Sequence, residues 1–310
     1  MEYNFGGEDL KNNIINQVII LSLIMIVGVY ARKKDILSKE ASKSFSNFLT
    51  NITLPCLLIS SFNYTYSQDM ISKARIMFAY SIIIHIVLIF ISRVLTFKYP
   101  ENSKKVLRFA TIFSNCGFMG YPVLESLFGK IGIFYGAIFN IPFNIFMFSI
   151  GIMIYTGKKD LKTLKEVLFN PAIIATILGL IIFSFSIKLP YPLFTAMSIV
   201  GSMTTPLSMI IVGAMLSEIR LKDIFSGTLV YYASFLRLIA VPFLTLGILK
   251  LLNADKLLMQ IAVIIEAMPA AVLASVLAEK YGADTALASR SVFISTIISM
   301  ITIPFIVMFL

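Results

Sequence analysis

Apolar runs of about twenty residues recur from one end of this chain to the other, and no stretch between them suffices for a sizeable soluble domain. Each run is long enough to cross the ~30 Å hydrocarbon core of a bilayer as a helix. Ten are read, at 13–31, 42–62, 74–96, 106–128, 131–155, 168–187, 191–216, 226–249, 257–281 and 285–309. The connections are short, so the spans form one bundle. Composition agrees: 58% of the 310 residues are hydrophobic and 14% charged, with a mean hydropathy of +0.90. Soluble domains are nearer half apolar and a quarter charged. The chain therefore reads as an all-α polytopic membrane protein whose chemistry lies within the membrane or at its surfaces. The leader "MEYNFGGEDLK" is acidic where a signal peptide is basic, and no small-residue cleavage site follows, so the first run reads as a span.

Lys and Arg set the orientation. Eighteen of the 26 basic residues fall in odd-numbered connections: Arg32, Lys33, Lys34, Lys39 and Lys43; Arg93, Lys98, Lys104, Lys105 and Arg108; Lys158, Lys159, Lys162 and Lys165; Arg220 and Lys222; Lys280 and Arg290. Those connections are expected on the cytoplasmic side of the cell membrane, with both termini outside. The net charge of +10 then reflects this bias and contact with anionic membrane lipids. A nucleic-acid partner explains it less well, because the charge is scattered over short loops. The two cysteines, Cys56 and Cys116, lie within spans and read as buried free thiols.

Weak matches recur at offsets of 149–152 residues. Thr53-x-Pro55 returns as Thr204-x-Pro206, Tyr80 and His85 as Tyr232 and Arg237, and "VLESLFGKIG" as "VLASVLAEKYG". Five spans per half is odd, so the second half enters from the opposite side. The expected organisation is two inverted five-helix repeats, 1–156 and 157–310, an arrangement of secondary transporters whose sites lie at interrupted helices near the midplane. The interruptions are legible. "FSNCGFMGYPV" packs Asn115, Gly117, Gly120 and Pro122 into eight residues of span 4, and span 9 carries Pro269 in "EAMPAAV". Proline removes a donor and displaces the carbonyl four residues earlier. In lipid such freed groups are tolerated only against protein, water or substrate.

Ionisable residues at membrane depth are costly and are candidates for function. Arg237, near the centre of span 8, either holds a substrate carboxylate or pairs with an acid such as Glu266. Glu266, three residues before Pro269, is placed to couple a proton or cation to substrate movement, or to form a static salt bridge. His85, the single histidine, is either a satisfied polar residue or a proton relay. Glu125, toward the outer end of span 4, reads as a snorkelling side chain or as an interfacial or gate residue. Asn51, Asn140 and Asn144 read as interhelical hydrogen-bonders, whereas Asn115 sits at the break, where its amide can face a cavity. Enzyme readings fail on inventory: one His, no paired-Cys or His-x-x-x-His spacing, no Gly-x-Ser-x-Gly and no phosphate loop.

The segments "FSNCGFMGYPVLESLFG", "NITLPCLLIS" and "MPAAVLASVLAEKYGADTALASRSVFISTIISMITIPF" resemble the auxin efflux carrier family in its short bacterial form, over essentially the full length. The resemblance implies helices 4 and 9 unwound and crossing at their prolines, as in sodium/proton antiporters and bile-acid symporters. It also implies a scaffold of helices 1, 2, 6 and 7, often a homodimer interface, beside a moving transport unit. Asn115, Cys116, Gly117, Pro122, Pro269 and Ala270 would line the substrate site. The implied substrate is a small organic anion, such as malate, malonate or an auxin-like acid, moved by an elevator-type carrier. No cofactor is implied, and H+ or Na+ coupling stays open. Other readings are a cation-coupled symporter of a bile-acid-like or amino-acid substrate, and a receptor that binds without transport.

Overall fold

The computed structural model describes residues 7–157, 169–217 and 227–310, with side chains from Asn16 onward. The basic residues Lys158, Lys159, Lys162, Lys165, Arg220 and Lys222 lie outside the described residues. Among those described, the chain is helical throughout. Its helices are α1 (Gly7–Lys33), α2 (Lys39–Phe48), α3 (Leu54–Ser61), α4 (Gln68–Thr96), α5 (Glu101–Ile112), α6 (Tyr121–Phe146), α7 (Ile152–Thr156) and α8 (Pro171–Ser184). There follow α9 (Tyr191–Ser202), α10 (Thr204–Leu216), α11 (Thr228–Phe235), α12 (Val241–Leu251), α13 (Lys256–Glu266), α14 (Leu273–Lys280) and α15 (Thr285–Val307).

Short polar residues start these helices where the chain leaves the apolar runs. Ser38, Ser67, Asn170, Asp255 and Asp284 each cap a helix by accepting from a backbone N–H of its first turn. Proline sets the interior breaks. Wide π-helical turns at Leu49–Thr53, Cys116–Gly120 and Leu236–Ala240 each end two residues before a proline, namely Pro55, Pro122 and Pro242. A proline ring collides with the carbonyl four residues back, and widening the turn lets that carbonyl escape.

Among the described residues, six stretches are long and apolar enough to cross a membrane: Asn16–Lys33, Gln68–Thr96, Cys116–Thr156, Tyr191–Leu216, Thr228–Leu251 and Thr285–Val307. The 41-residue stretch Cys116–Thr156 is two arms, because Gly129 (φ 60°, ψ −148°) bends the chain between them, a conformation glycine adopts without strain. The remaining expected spans are shorter pieces. Span 2 is α2 and α3 about a π turn, span 9 is α13 and α14, and span 6 is the 14-residue α8.

The bundle is apolar outside as well as in its core, and it buries a minority of polar residues. Leu23, Ile26, Phe90, Val94 and Ile301 point outward, whereas Thr53, Ser81, His85, Thr204, Arg237, Glu266 and Ser299 are buried. Lipid as the surrounding solvent accounts for both. Two groups of helices pack most closely among themselves. In one, α1 lies on α10 and α3 lies on α8 and α9; in the other, α4 lies on α5 and α6, α12 on α13, and α15 on α11 and α14.

The α1–α10 crossing is a reciprocal glycine contact. A Cβ built on Gly28 would lie 2.1 Å from the Ile210 carbonyl oxygen, and one on Gly213 would lie 1.9 Å from that of Met25. Small residues let backbones approach this closely in membranes. Gly213→Ala is therefore expected to push the helices apart and cost about 1–3 kcal/mol, read as an earlier thermal unfolding midpoint in detergent. An unchanged midpoint would mean that the two helices do not touch here.

Candidate functional site

Two interrupted helices meet at the centre of the bundle. α5 ends at Ile112, and the chain runs extended through Phe113 and Ser114 before turning helical again at Cys116. α13 ends at Glu266, and α14 resumes at Leu273. The gaps pair antiparallel, Ser114 opposite Ala270. The Asn115 N–H donates to Pro269 O at 2.7 Å and the Ala271 N–H to Phe113 O at 3.1 Å. Ser295 Oγ of α15 accepts from the Ala270 N–H at 3.1 Å. Extended backbone in a lipid-surrounded core is thus satisfied within the protein.

Asn115 organises the restart. Its carbonyl accepts from the N–H groups of Met119 (3.1 Å) and Gly120 (3.2 Å), and its Oδ1 accepts from the Phe118 N–H at 3.4 Å. A short side chain that can cap its own following turn suits such a position.

Arg237 ties the two broken helices from behind. Its Nη1 donates to Thr111 O (2.9 Å) and Ile112 O (3.2 Å), the last carbonyls of α5. Its Nη2 donates to the backbone carbonyl of Glu266, which ends α13, and to Glu266 Oε2 at 2.5 Å. Each helix C-terminus presents unpaired carbonyls and a partial negative charge, which a guanidinium fork complements. Arg237 and Glu266 are both fully buried. Of the two readings of Arg237, the structure contains the ion pair with Glu266. His85 of α4 lies behind the same carboxylate, with Nε2 3.5 Å from Glu266 Oε1.

In front of the crossing is a cavity of about 170 Å³, roughly six times the ~30 Å³ share of one liquid water. Asn115, Cys116 and Gly117 form one wall, and Ala271, Val272 and Leu273 another. Asn140, Asn144 and Tyr121 face it from α6, and Thr50 and Asn170 close it from the other helix group. It therefore lies between the two packed groups. Its lining contains polar side chains but no ionised one. Ser114 Oγ is buried in this lining without a partner among the described residues. Unpaired buried polar atoms of this kind are costly unless something fills the space. Three helix starts border the cavity, at Cys116, Leu273 and Asn170–Ala172. Their dipoles favour negative charge there.

Of the residues expected from sequence, Asn115, Cys116 and Gly117 reach the cavity, while Pro269 and Ala270 use their backbones in the crossing itself. Pro122 lies in the first turn of α6, outside the lining. Arg237, Glu266 and His85 come together behind the crossing and do not line the cavity. Glu125 Oε2 accepts from Thr205 Oγ1 of α10 at 2.5 Å. Asn51 and Asn144 bond within their own helices, to Asn47 O (2.8 Å) and Asn140 O (2.7 Å), rather than between helices. Cavity positions not read as such from sequence are Thr50, Tyr121, Asn140, Asn144 and Asn170. The four-residue spacing of Asn140 and Asn144, which places both amides on one helix face, was the available signal.

The sequence matches the family model described as membrane transport protein over residues 13–307. It is 28% identical over 297 residues to an uncharacterized transporter of Methanocaldococcus jannaschii, covering 92% of this chain and 95% of that one. An uncharacterized transporter of Methanothermobacter thermautotrophicus is 26% identical over 295 residues, with 93% and 95% covered. The uncharacterized transporter YfdV of Escherichia coli is 22% identical over 306 residues, with 94% and 95% covered.

Proposed function

Since the chain belongs to the membrane transport protein family, that of the auxin efflux carriers, we propose that it is a secondary carrier for a small organic anion in the cell membrane. The observation that carries this reading is the cavity at the crossing: largely apolar but set with asparagine amides, uncharged, bordered by helix starts and placed between two helix groups. A carboxylate is matched by N-terminal dipoles and asparagine amides without a permanent counter-charge. A site held by dipoles alone stays easy to move when empty, as a carrier requires.

In this reading α1, α2, α3, α8, α9 and α10 are the scaffold, through which a homodimer forms. The other helices are the transport unit and carry the anion with them. The ten-span organisation as inverted repeats 1–156 and 157–310 belongs to the same proposal. It is supported by the paired breaks and by His85 and Arg237, 152 positions apart, both reaching Glu266. With the odd connections cytoplasmic, Asn170 lies at the inner end of its span and the cavity opens inward.

Uptake by purified protein in proteoliposomes tests the reading, using a panel of labelled mono- and dicarboxylates that includes malonate and malate, under imposed pH or sodium gradients. Saturable accumulation of at least one small carboxylate is expected. Transport confined to bile-acid-like or amino-acid substrates would replace the anion assignment, and binding without accumulation would make the protein a receptor.

A further inference from the structure

Behind the crossing, His85 and Glu266 face each other with two acceptor atoms and nothing between them. His85 Nδ1 lies 2.6 Å from Ser81 O, a carbonyl that can only accept, so Nδ1 carries the hydrogen. The Ser81 hydroxyl is directed elsewhere, donating to Phe139 O at 2.7 Å. In the neutral ring Nε2 is then a bare lone pair, and it points at Glu266 Oε1 from 3.5 Å. Neither Nε2 nor Oε1 has a hydrogen-bond partner among the described residues, although both residues are fully buried. Glu266 cannot turn away, because its other oxygen and its carbonyl are held by Arg237.

Aromatic rings close around the His85 imidazole. Four phenylalanines enclose it: Phe113 at 6.5 Å between centroids, Phe139 at 5.6 Å, Phe143 at 5.3 Å and Phe146 at 5.8 Å. Aromatic faces attract positive charge and exclude water. The ionisable groups facing His85 are Glu266 from α13, Arg237 from the turn between α11 and α12, and the Cys116 thiol beside Glu266. α4 itself contributes the Ser81 carbonyl, and α5 and α6 contribute rings alone.

We propose that His85 and Glu266 form a buried proton-binding site, in which a proton taken from water binds His85 Nε2 and the new N–H donates to Glu266 Oε1. Loading converts two opposed acceptors into a charge-assisted hydrogen bond. The site shares a wall with the anion cavity, since the Phe143 ring lines that cavity and stands against His85. It also bears on the crossing, because Glu266 is the residue through which Arg237 holds the end of α13. In an organic-anion carrier this gives the coupled ion a place. That use rests on the carrier reading above, whereas the site itself does not.

His85 is the single histidine of the chain, so histidine-selective 15N labelling gives imidazole signals from this residue alone. In purified protein at high pH the ring is expected as the neutral form protonated on Nδ1. On acidification, within the pH range over which the protein stays folded, it should become imidazolium in one step. Glu266→Gln should lower the midpoint by about one pH unit or more. Phe146→Leu, which leaves the Arg237 contacts intact and removes one ring of the cage, should lower it by about half a unit. A ring that stays neutral throughout, or carries its hydrogen on Nε2, overturns the proposal. So does a midpoint that neither variant moves. None of these outcomes touches the carrier reading, which is decided by flux.

Discussion

Arg237→Met is expected to cost more than about 3–5 kcal/mol of folding stability, the scale of the Glu266 carboxylate buried without its partner alone. The loss should appear as a large fall in the thermal unfolding midpoint in detergent. A second substitution locates its source. Removing the carboxylate as well, in Arg237→Met/Glu266→Leu, relieves the stranded charge, and a buried ion pair is often replaceable by apolar residues at little net cost. Arg237 does more here than neutralise an acid. It donates to Thr111 O, Ile112 O and the Glu266 carbonyl, which end the two broken helices. Each buried carbonyl left bare costs about 1–3 kcal/mol, so the double variant should recover less than half of the loss. Arg237→Lys keeps the charge but not the planar fork, and should melt nearer to Arg237→Met than to the native protein. Full recovery in the double variant would make Arg237 an ordinary ion-pair partner.

Asn115→Ala is expected to reduce uptake by about 10²-fold, on the scale of a site displaced by an ångström, while the protein still inserts. The backbone bond to Pro269 survives this change, because it uses the Asn115 N–H. What is lost is the Oδ1 cap on Phe118 and an amide at the cavity wall. Losing a cap costs about 1 kcal/mol, too little to unfold the bundle, so flux should fall far more than stability. Asn115→Asp separates the two roles. It keeps the capping oxygen but sets a negative charge where an anion must sit, so it should melt normally and transport as poorly as the alanine variant. Normal uptake from Asn115→Ala would move the site elsewhere.

The break in span 4 was legible because Asn115, Gly117, Gly120 and Pro122 stand together in an apolar run, where each is a poor choice for uninterrupted helix. Pro269 alone would have been weak; the repeat offset pointed to it. The choice for Arg237 between a substrate carboxylate and Glu266 was beyond sequence, since the two residues lie 29 positions apart on separate helices and no periodicity reports their approach. The cavity amides were hidden for a related reason. Asn140, Asn144 and Asn170 look like ordinary helix-packing and capping residues until α6 and α8 are brought against the crossing. The rings around His85 were hidden most completely: Phe113, Phe139, Phe143 and Phe146 are indistinguishable in sequence from the other phenylalanines of an apolar chain. Span length was a weak guide. Proline and the extended gaps cut several runs into helices of 8 to 14 residues, so that among the described residues six stretches, not ten, are long enough to cross alone.

The central claim is that a small organic anion crosses the membrane through the cavity at the crossing, and site-specific protection during transport tests it most directly. Asn144→Cys, placed in a protein whose Cys56 and Cys116 are replaced by serine, puts a single thiol on the cavity lining. In proteoliposomes, its rate of modification by a small membrane-permeant thiol reagent is measured with and without the carboxylate that the same vesicles accumulate. The expected result is that the transported anion slows modification at concentrations that half-saturate uptake, and that modified protein no longer transports. Saturable uptake with modification equally fast in the presence of the anion, or undiminished transport by fully modified protein, would contradict the account.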